Sequence, residues 1–410
     1  MSRILFLSYD GITDPLGQSQ VLPYLVCLSR SGYDITLISF EKPERFTEGR
    51  TAIEQLCQAN KIQWHPLTYS RKPPVLSTLK DLFLLRMHVH KLHRDCPFDA
   101  LHCRSYNTAL IGQWMKRRFG VKWIFDMRGF WADERVDGKI WDLKNPLYRW
   151  VYRFFKKKER QFIEEADHII SLTDQARSII HSWTIVPGQP VPITVIPCCV
   201  DLRHFDSASV AVSAKLSLRH KLNIPDTSRV ISYVGSIGSW YMLPEMMGFF
   251  VRWLLKFPDS IFLFISQDDP AIILQEAIKQ GVSLDKIRIS GAIRPDMPTY
   301  ISISDCSVFF IKPVFSKKAS SPTKQGEIMA MGVPVICNSG VGDTDSVIRA
   351  WNSGLLVDQF TSTSYDQVIN DFQKAHFDTH AMRNGAVAFF SLDEGVNRYK
   401  NVYERVLSGR

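Results

Sequence analysis

The sequence predicts an α/β protein built from two doubly wound parallel sheets, one in each half of the chain. Short apolar runs of strand length alternate with longer amphipathic stretches, the βαβ rhythm of a parallel sheet covered by helices. The rhythm restarts after "VIPCCVDLRHF" (195–205), which marks a boundary near 198–204. At 410 residues the chain exceeds one ordinary core and suits two domains of roughly 200 residues each.

Taken in order, the first half offers "RILFLSY" as an entry strand, an amphipathic helix over 20–31 and "DITLISF" as the next strand. "DALHCRS", "VKWIFDM", "ADHIISLT" and "PITVIPC" continue the sheet. The second half offers six short buried strands: "RVISYVGSIG", "SIFLFISQ", "KIRISGAI", "CSVFFIKP", "VPVICNS" and "SGLLVD". The last stretch, "SLDEGVNRYKNVYERVLSG", reads as an amphipathic helix packing back across the junction. The expected division is 1–198 plus about 388–410 for one domain and 199–387 for the other. No internal repeat or flexible Gly/Ser linker interrupts the pattern.

Hydrophobic residues make up 45% and charged residues 22% of the chain, a globular composition. The opening apolar run meets Asp10 and Gly11 too soon for a signal sequence, and Arg252, Lys256 and Asp259 break the longest apolar region, so no membrane-spanning segment is expected. Eight cysteines without C-x-x-C pairs fit a reducing cytosol, with the vicinal Cys198 and Cys199 as buried loop thiols. His88, His90 and His93 fan around a helix axis and do not suggest a metal site. The net charge of +9 points to an anionic partner: a nucleotide, a phospholipid surface or nucleic acid.

Ligands of doubly wound folds bind beyond the carboxyl ends of the strands, and with two such domains the default site is the cleft between them. The loops to read are therefore "DGITDPLGQSQ" with Gly17, "RSYN", "DMRGFWADER", "GSIGSWY" with Gly235 and Ser236, "SQDDP", and "GAIRPD" with Ile293. Most informative is "SSPTKQGEIMAMGVPVICNSGVGD" (320–343). Ser321 as N-cap, Pro322 at the first helical position and Gly332 as a stop predict a helix over 322–331. Its amide groups and dipole form an anion site that the small residues Ala319, Ser320 and Ser321 let a phosphate approach, with Thr323 a further donor-binding candidate. Lys324 adds a full positive charge. Glu327, three residues on, lies on the same face, where a carboxylate accepts hydrogen bonds from two ribose hydroxyls. The pair reads as phosphate plus sugar, or else as a helix-surface salt bridge.

In these residues the sequence resembles the retaining GT-B glycosyltransferases of family 4, the bacterial polysaccharide and glycoconjugate type. "PTKQGEIMAMGVPVI" followed by "GVGD" is similar to that family's donor-binding helix. "VIPCCVDLRHF", "YVGSIGSWY", and "LSYDGITDPLGQSQVLPYL" with "ITLISFEKP" extend the likeness over most of the chain. The resemblance implies two Rossmann-like domains facing across a cleft, with a C-terminal helix crossing back to the first. It implies an enzyme of the hexosyltransferase type (EC 2.4) that takes a nucleotide-sugar, UDP- or GDP-linked, as a substrate rather than a cofactor and requires no metal. Glu327 would then contact ribose and Lys324 the diphosphate. Two departures stand out: Ala319 occupies the place of the family's first Glu, and "GSIGSWYMLPE" lacks the usual bases. Lys317, Lys318 or Arg294 is expected to supply the missing charge.

"KWIFDMRGFWADERVDGKIW" places Asp126, Arg128 and Glu134 directly after a strand. Arg128 suits a leaving diphosphate and Asp126 an orienting or accepting role, unless the loop is a structural ion-pair network. His102 and Arg104 in "LHCRSYN" are candidate sugar or acceptor contacts, with a satisfied structural histidine the equal alternative for His102. In "NPLYRWVYRFFKKKERQF", Leu147, Trp150, Val151, Phe154, Phe155 and Phe162 share one face, read as core. Arg149, Arg153, Lys156 and Arg160 share another, which suits either an anionic membrane surface under the helix over 146–162 or a solvated charged face. The expected partners are thus a nucleotide-sugar and a saccharide or lipid-linked acceptor, not nucleic acid. The expected location is cytoplasmic, peripheral on the inner face of the cell membrane. The alternatives are a nucleotide-sugar epimerase on the same fold and a non-catalytic nucleotide or nucleic-acid binder.

Overall fold

In the computed structural model, which describes residues 2–183 and 191–409, the chain forms two compact units, Met1–Pro197 with Leu392–Arg410, and Cys198–Ser391. The first unit holds seven parallel strands in the order β3-β2-β1-β4-β5-β6-β7. They are β1 (Arg3–Ser8), β2 (Asp34–Glu41), β3 (Gln63–Thr68), β4 (Ala100–Arg104), β5 (Lys122–Asp126), β6 (His168–Ser171) and β7 (Ile193–Val195). Ile4 sits in register with Ile35 on one side and Ala100 on the other, and β1 is buried on both faces, which explains its continuous apolar run. The strand that periodicity misses is β3. It carries Pro66, lies at the sheet edge and is half-exposed, so it shows neither strong alternation nor an apolar run. The expected first helix is also two, Pro15–Gln20 and Leu22–Arg30, separated at Val21.

The second unit holds six parallel strands in the order β10-β9-β8-β11-β12-β13. These are β8 (Val230–Val234), β9 (Ile261–Ile265), β10 (Ile287–Ser290), β11 (Cys306–Phe309), β12 (Val335–Asn338) and β13 (Gly354–Val357). Phe249, Phe250 and Trp253, on the helix Leu243–Lys256, are fully buried in this core.

The last helix, Leu392–Ser408, belongs to the first unit. Leu392, Val396, Tyr399, Val402, Tyr403 and Val406 are buried at three- and four-residue spacing, the stripe that packs it on Leu22–Arg30 and β5. Each sheet has one position where the chain reverses its direction of travel, between β1 and β4 and between β8 and β11. Loops leaving the carboxyl ends of those strand pairs part and leave a crevice there.

Candidate functional site

In the second unit, the crevice between β8 and β11 is where Lys324 comes to rest. Its helix, Thr323–Ala330, begins one residue later than expected, with Pro322 at the N-cap and no side-chain cap. Ser321 does not cap it, because its hydroxyl instead accepts the amide of Cys198 at 3.1 Å. Lys324 is buried, and its Nζ lies 3.6 Å from the centroid of the Tyr241 ring and 4.1 Å from that of Tyr233. It has no hydrogen-bond acceptor among the described residues. Burial drives its pKa well below the usual lysine range, against the pull of Glu327 and Asp268. A desolvated ammonium held only by aromatic faces is a site for an anion.

Glu327 is buried on the same helix. The alternative of a Lys324–Glu327 surface bridge does not describe this helix, since both residues are buried and the Glu327 Oε1 accepts from Arg294 Nη1 at 3.3 Å. Burial raises the Glu327 pKa, and Arg294 and then Lys324 oppose that shift. Arg294 follows the exposed Ile293 and is half-exposed, with its guanidinium 5.4 Å from the Phe205 ring.

Gly235 has φ of +100°, which strains any L side chain, while a Cβ there would meet Lys324 Nζ at 3.5 Å, an ordinary contact, so the backbone angle and not the space favours glycine. Ser236 Oγ donates to Asp268, and Asp268 Oδ2 accepts the Ile237 amide at 2.6 Å. The acidic pair of "SQDDP" is thus not isolated: Asp268 braces the glycine loop and Asp269 caps the helix Pro270–Lys279. Lys317 is buried with its Nζ 3.7 Å from the Trp240 ring centroid, whereas Lys318 is exposed. Lys324, Glu327, Gly235 and Ser236 therefore gather at one crevice, with Thr323 and Ser320 at the entry of the helix.

The first unit assembles a second group. Arg104, at the end of β4, is buried and pairs with Asp10 of the loop after β1 across the other crevice. Glu41, a lone carboxylate ending the apolar β2, accepts the amides of Ile12 and Thr13 at 2.8 and 3.0 Å, and the hydroxyls of Thr13 and Ser39 at 2.6 and 2.5 Å. Sequence reasoning missed it, although an acid directly before a loop, after seven strand residues, was the available signal. A Cβ on Gly17 would lie 2.3 Å from the Gly11 carbonyl, so only a glycine lets this helix seat on the loop.

His102 and Asp126 are likewise enclosed. His102 Nδ1 is 2.8 Å from Tyr403 Oη and its Nε2 is 3.4 Å from Asp126 Oδ2, to which the Tyr399 hydroxyl also donates at 3.4 Å. Burial lowers the His102 pKa and so favours the neutral ring. Both side chains are buried against Leu392–Ser408, with the Asp126 Oδ1 left without a hydrogen-bond partner among the described residues. The sequence could not show this, because the tyrosines lie at the other end of the chain. Arg128, in a left-handed conformation with φ of +54°, stands 3.9 Å from Asp126 and pulls its pKa down against burial. Glu134 lies on the short helix Trp131–Asp137 and is half-buried.

The helix expected over 146–162 runs Pro146–Glu165. Its basic face is largely engaged: Lys156 is held by Asp133 and Glu159, Arg160 by Glu164, and Arg149 by the Leu143 carbonyl. Its apolar face is core only in part, because Leu147 and Trp150 are exposed. Among the described residues, no helix is long and apolar enough to cross a membrane, and no three His, Cys, Asp or Glu side chains group as metal ligands.

Two doubly wound domains, the second carrying a buried lysine and carboxylate on one helix at its switch point, define the GT-B class of proteins. Residues 18–199 match the family described as a glycosyl transferase 4-like domain. That stretch is thus similar to the glycosyl transferase 4-like domain, and the chain as a whole shares the GT-B fold of solved structures. A D-inositol 3-phosphate glycosyltransferase of Streptosporangium roseum is 23% identical over 303 residues, 71% of this chain, and the match spans 65% of that relative's length. Among solved structures, a sucrose-phosphate synthase of Thermosynechococcus elongatus shares the fold with a TM-score of 0.76 at 16% identity, covering 100% of both chains. The Anabaena protein HepE in complex with UDP and glucose shares it at 0.67 and 14% identity, covering 98% of this chain and 100% of that one.

Proposed function

We propose that this chain is a retaining hexosyltransferase, active in the cytoplasm, that moves a sugar from a nucleotide-diphosphate-sugar to a hydroxyl of a saccharide or lipid-linked acceptor. The observation that carries the reading is Lys324, a buried amine without a hydrogen-bond acceptor among the described residues, one turn from the buried carboxylate of Glu327. Diphosphate oxygens meet the ammonium and ribose hydroxyls meet the carboxylate. Arg294, paired with Glu327, is the cation offered in place of the family's missing bases.

In the reaction the acceptor oxygen bonds to the anomeric carbon as the bond from that carbon to the β-phosphate oxygen breaks. The electron pair leaves with the diphosphate, and the acceptor's proton passes to the departing oxygen. Lys324 and the amino end of its helix stabilise charge that grows as this bond opens, which lowers the barrier more than it tightens the ground state. Ser320, Ser321, Thr323, Gly235, Ser236, Ile293, Lys318 and Gly17 make up the rest of the donor set, Arg128 beside Asp126 is assigned to the leaving diphosphate, and Arg104 and Glu134 to the acceptor side. HepE's complex with UDP and glucose puts UDP-sugars first among donors to try.

A melting screen over UDP-, GDP-, ADP- and TDP-sugars tests the reading. The true donor at a hundredfold its dissociation constant adds about 2.7 kcal/mol of stability. Slow hydrolysis of that donor without acceptor agrees with transfer. Epimerisation in its place, or no shift with any nucleotide-sugar, contradicts it.

A further inference from the structure

The helix Leu76–Asp95 buries Ser77, Asp81, Leu85 and Val89 and turns an apolar face outward. Leu76, Leu79, Phe83, Leu84 and Met87 are 64, 56, 62, 44 and 55% exposed, and at their spacing they form one continuous stripe opposite the buried side. Such a stripe costs free energy in water and marks an interaction surface. Its charge identifies the partner. Arg71 and Lys72 precede the helix, Lys80, Arg86 and Lys91 flank the stripe, and Arg94 closes it, all exposed. Of the two acids over 71–95, Asp81 is buried and accepts from Tyr9 Oη at 2.9 Å and the Ser70 amide at 3.1 Å, while Asp95 lies 3.5 Å from Arg94.

We propose that this face docks on an anionic bilayer surface, with the apolar stripe at the headgroup–acyl boundary and the basic flank on lipid phosphates. This assigns membrane contact to Leu76–Asp95 and not to the largely engaged helix Pro146–Glu165. The helix follows β3, so its amino end stands at the carboxyl edge of the first sheet, and Asp81 ties it to Tyr9 beyond β1. A lipid-linked acceptor held in the leaflet is thereby brought to the edge where the loops after β1 and β4 lie.

The test is sedimentation of the full chain with vesicles of phosphatidylglycerol and phosphatidylcholine, and with phosphatidylcholine alone, accompanied by sedimentation velocity without lipid. Wild type binds the anionic vesicles, and salt weakens that binding. Leu79→Ser/Phe83→Ser/Met87→Ser lowers partitioning at least tenfold with unchanged melting, because the replaced side chains are exposed. Lys72→Gln/Lys80→Gln/Lys91→Gln lowers it about fivefold per lysine on anionic vesicles only. Arg149→Gln/Arg153→Gln leaves it within twofold. Wild type that stays in the supernatant, a serine variant that binds as wild type does, or a dimer that the serine variant converts to monomer would each overturn the proposal, the last by giving the face to a second copy. No donor or turnover enters these measurements, so their failure is separate from failure of the transferase reading.

Discussion

The ammonium of Lys324 lies 3.6 Å from the centroid of the Tyr241 ring, inside the second unit and away from any hydrogen-bond acceptor among the described residues. Burial favours its neutral form in the free protein, and the aromatic faces hold the side chain where an arriving anion restores its charge. Lys324→Ala is expected to lower kcat by 10²- to 10³-fold, about 3–4 kcal/mol, with a smaller change in KM. Steady-state kinetics on the donor found by melting checks this. A rise in KM with unchanged kcat makes Lys324 a ground-state contact only.

Proton uptake should accompany donor binding. The Lys324 pKa is held low in the free protein, and a diphosphate beside it raises that pKa, so the complex binds more protons than the separate partners wherever the amine is neutral before binding. Calorimetry in buffers of different ionisation enthalpy measures the number. Uptake is the expected sign and should disappear in Lys324→Ala; proton release by the wild type contradicts the account.

Much of this arrangement is legible in the sequence and some is not. Strands buried on both faces announce themselves as apolar runs, and Lys324 and Glu327 stand three apart on one predicted helix, so their shared face follows from helical spacing alone. Nothing local shows that Arg294 is the partner of Glu327, or that Tyr233 and Tyr241 enclose Lys324, because tertiary packing brings these residues together from separate segments. The same holds for His102 and Asp126. As strand-end residues they look like ligand contacts, and only the Leu392–Ser408 helix, arriving from the far end of the chain, shows that they are used to hold it.

Tyr403→Phe is therefore expected to destabilise the first unit by about 1–2 kcal/mol, the loss of one buried hydrogen bond with His102 left without that partner. Donor affinity should stay within twofold. Chemical denaturation and donor titration check both statements. Unchanged stability with weakened substrate use would restore His102 as a substrate contact.

Acid should weaken the first unit between about pH 6.5 and pH 4. Burial, and then Arg405, lower the His168 pKa to about 4, and its Nε2 is 2.8 Å from Thr194 Oγ1. The unfolded chain binds that proton first as pH falls, so stability drops through this window, by about 3 kcal/mol once it is crossed. Denaturation of His168→Gln at pH 7.5 and pH 5 should show a smaller difference than wild type. An equal difference assigns the acid lability to other groups.

The central claim is that Lys324 and Glu327 together hold the diphosphate and ribose of a nucleotide-sugar, and calorimetric titration of that donor into wild type, Lys324→Ala and Glu327→Gln tests it most directly. Replacing the carboxylate by an amide weakens two charge-assisted hydrogen bonds, worth roughly 1.5–3 kcal/mol each. The account predicts at least a tenfold loss of affinity in Glu327→Gln and a loss in Lys324→Ala, with both variants cooperatively folded. Wild-type affinity in both variants would contradict it.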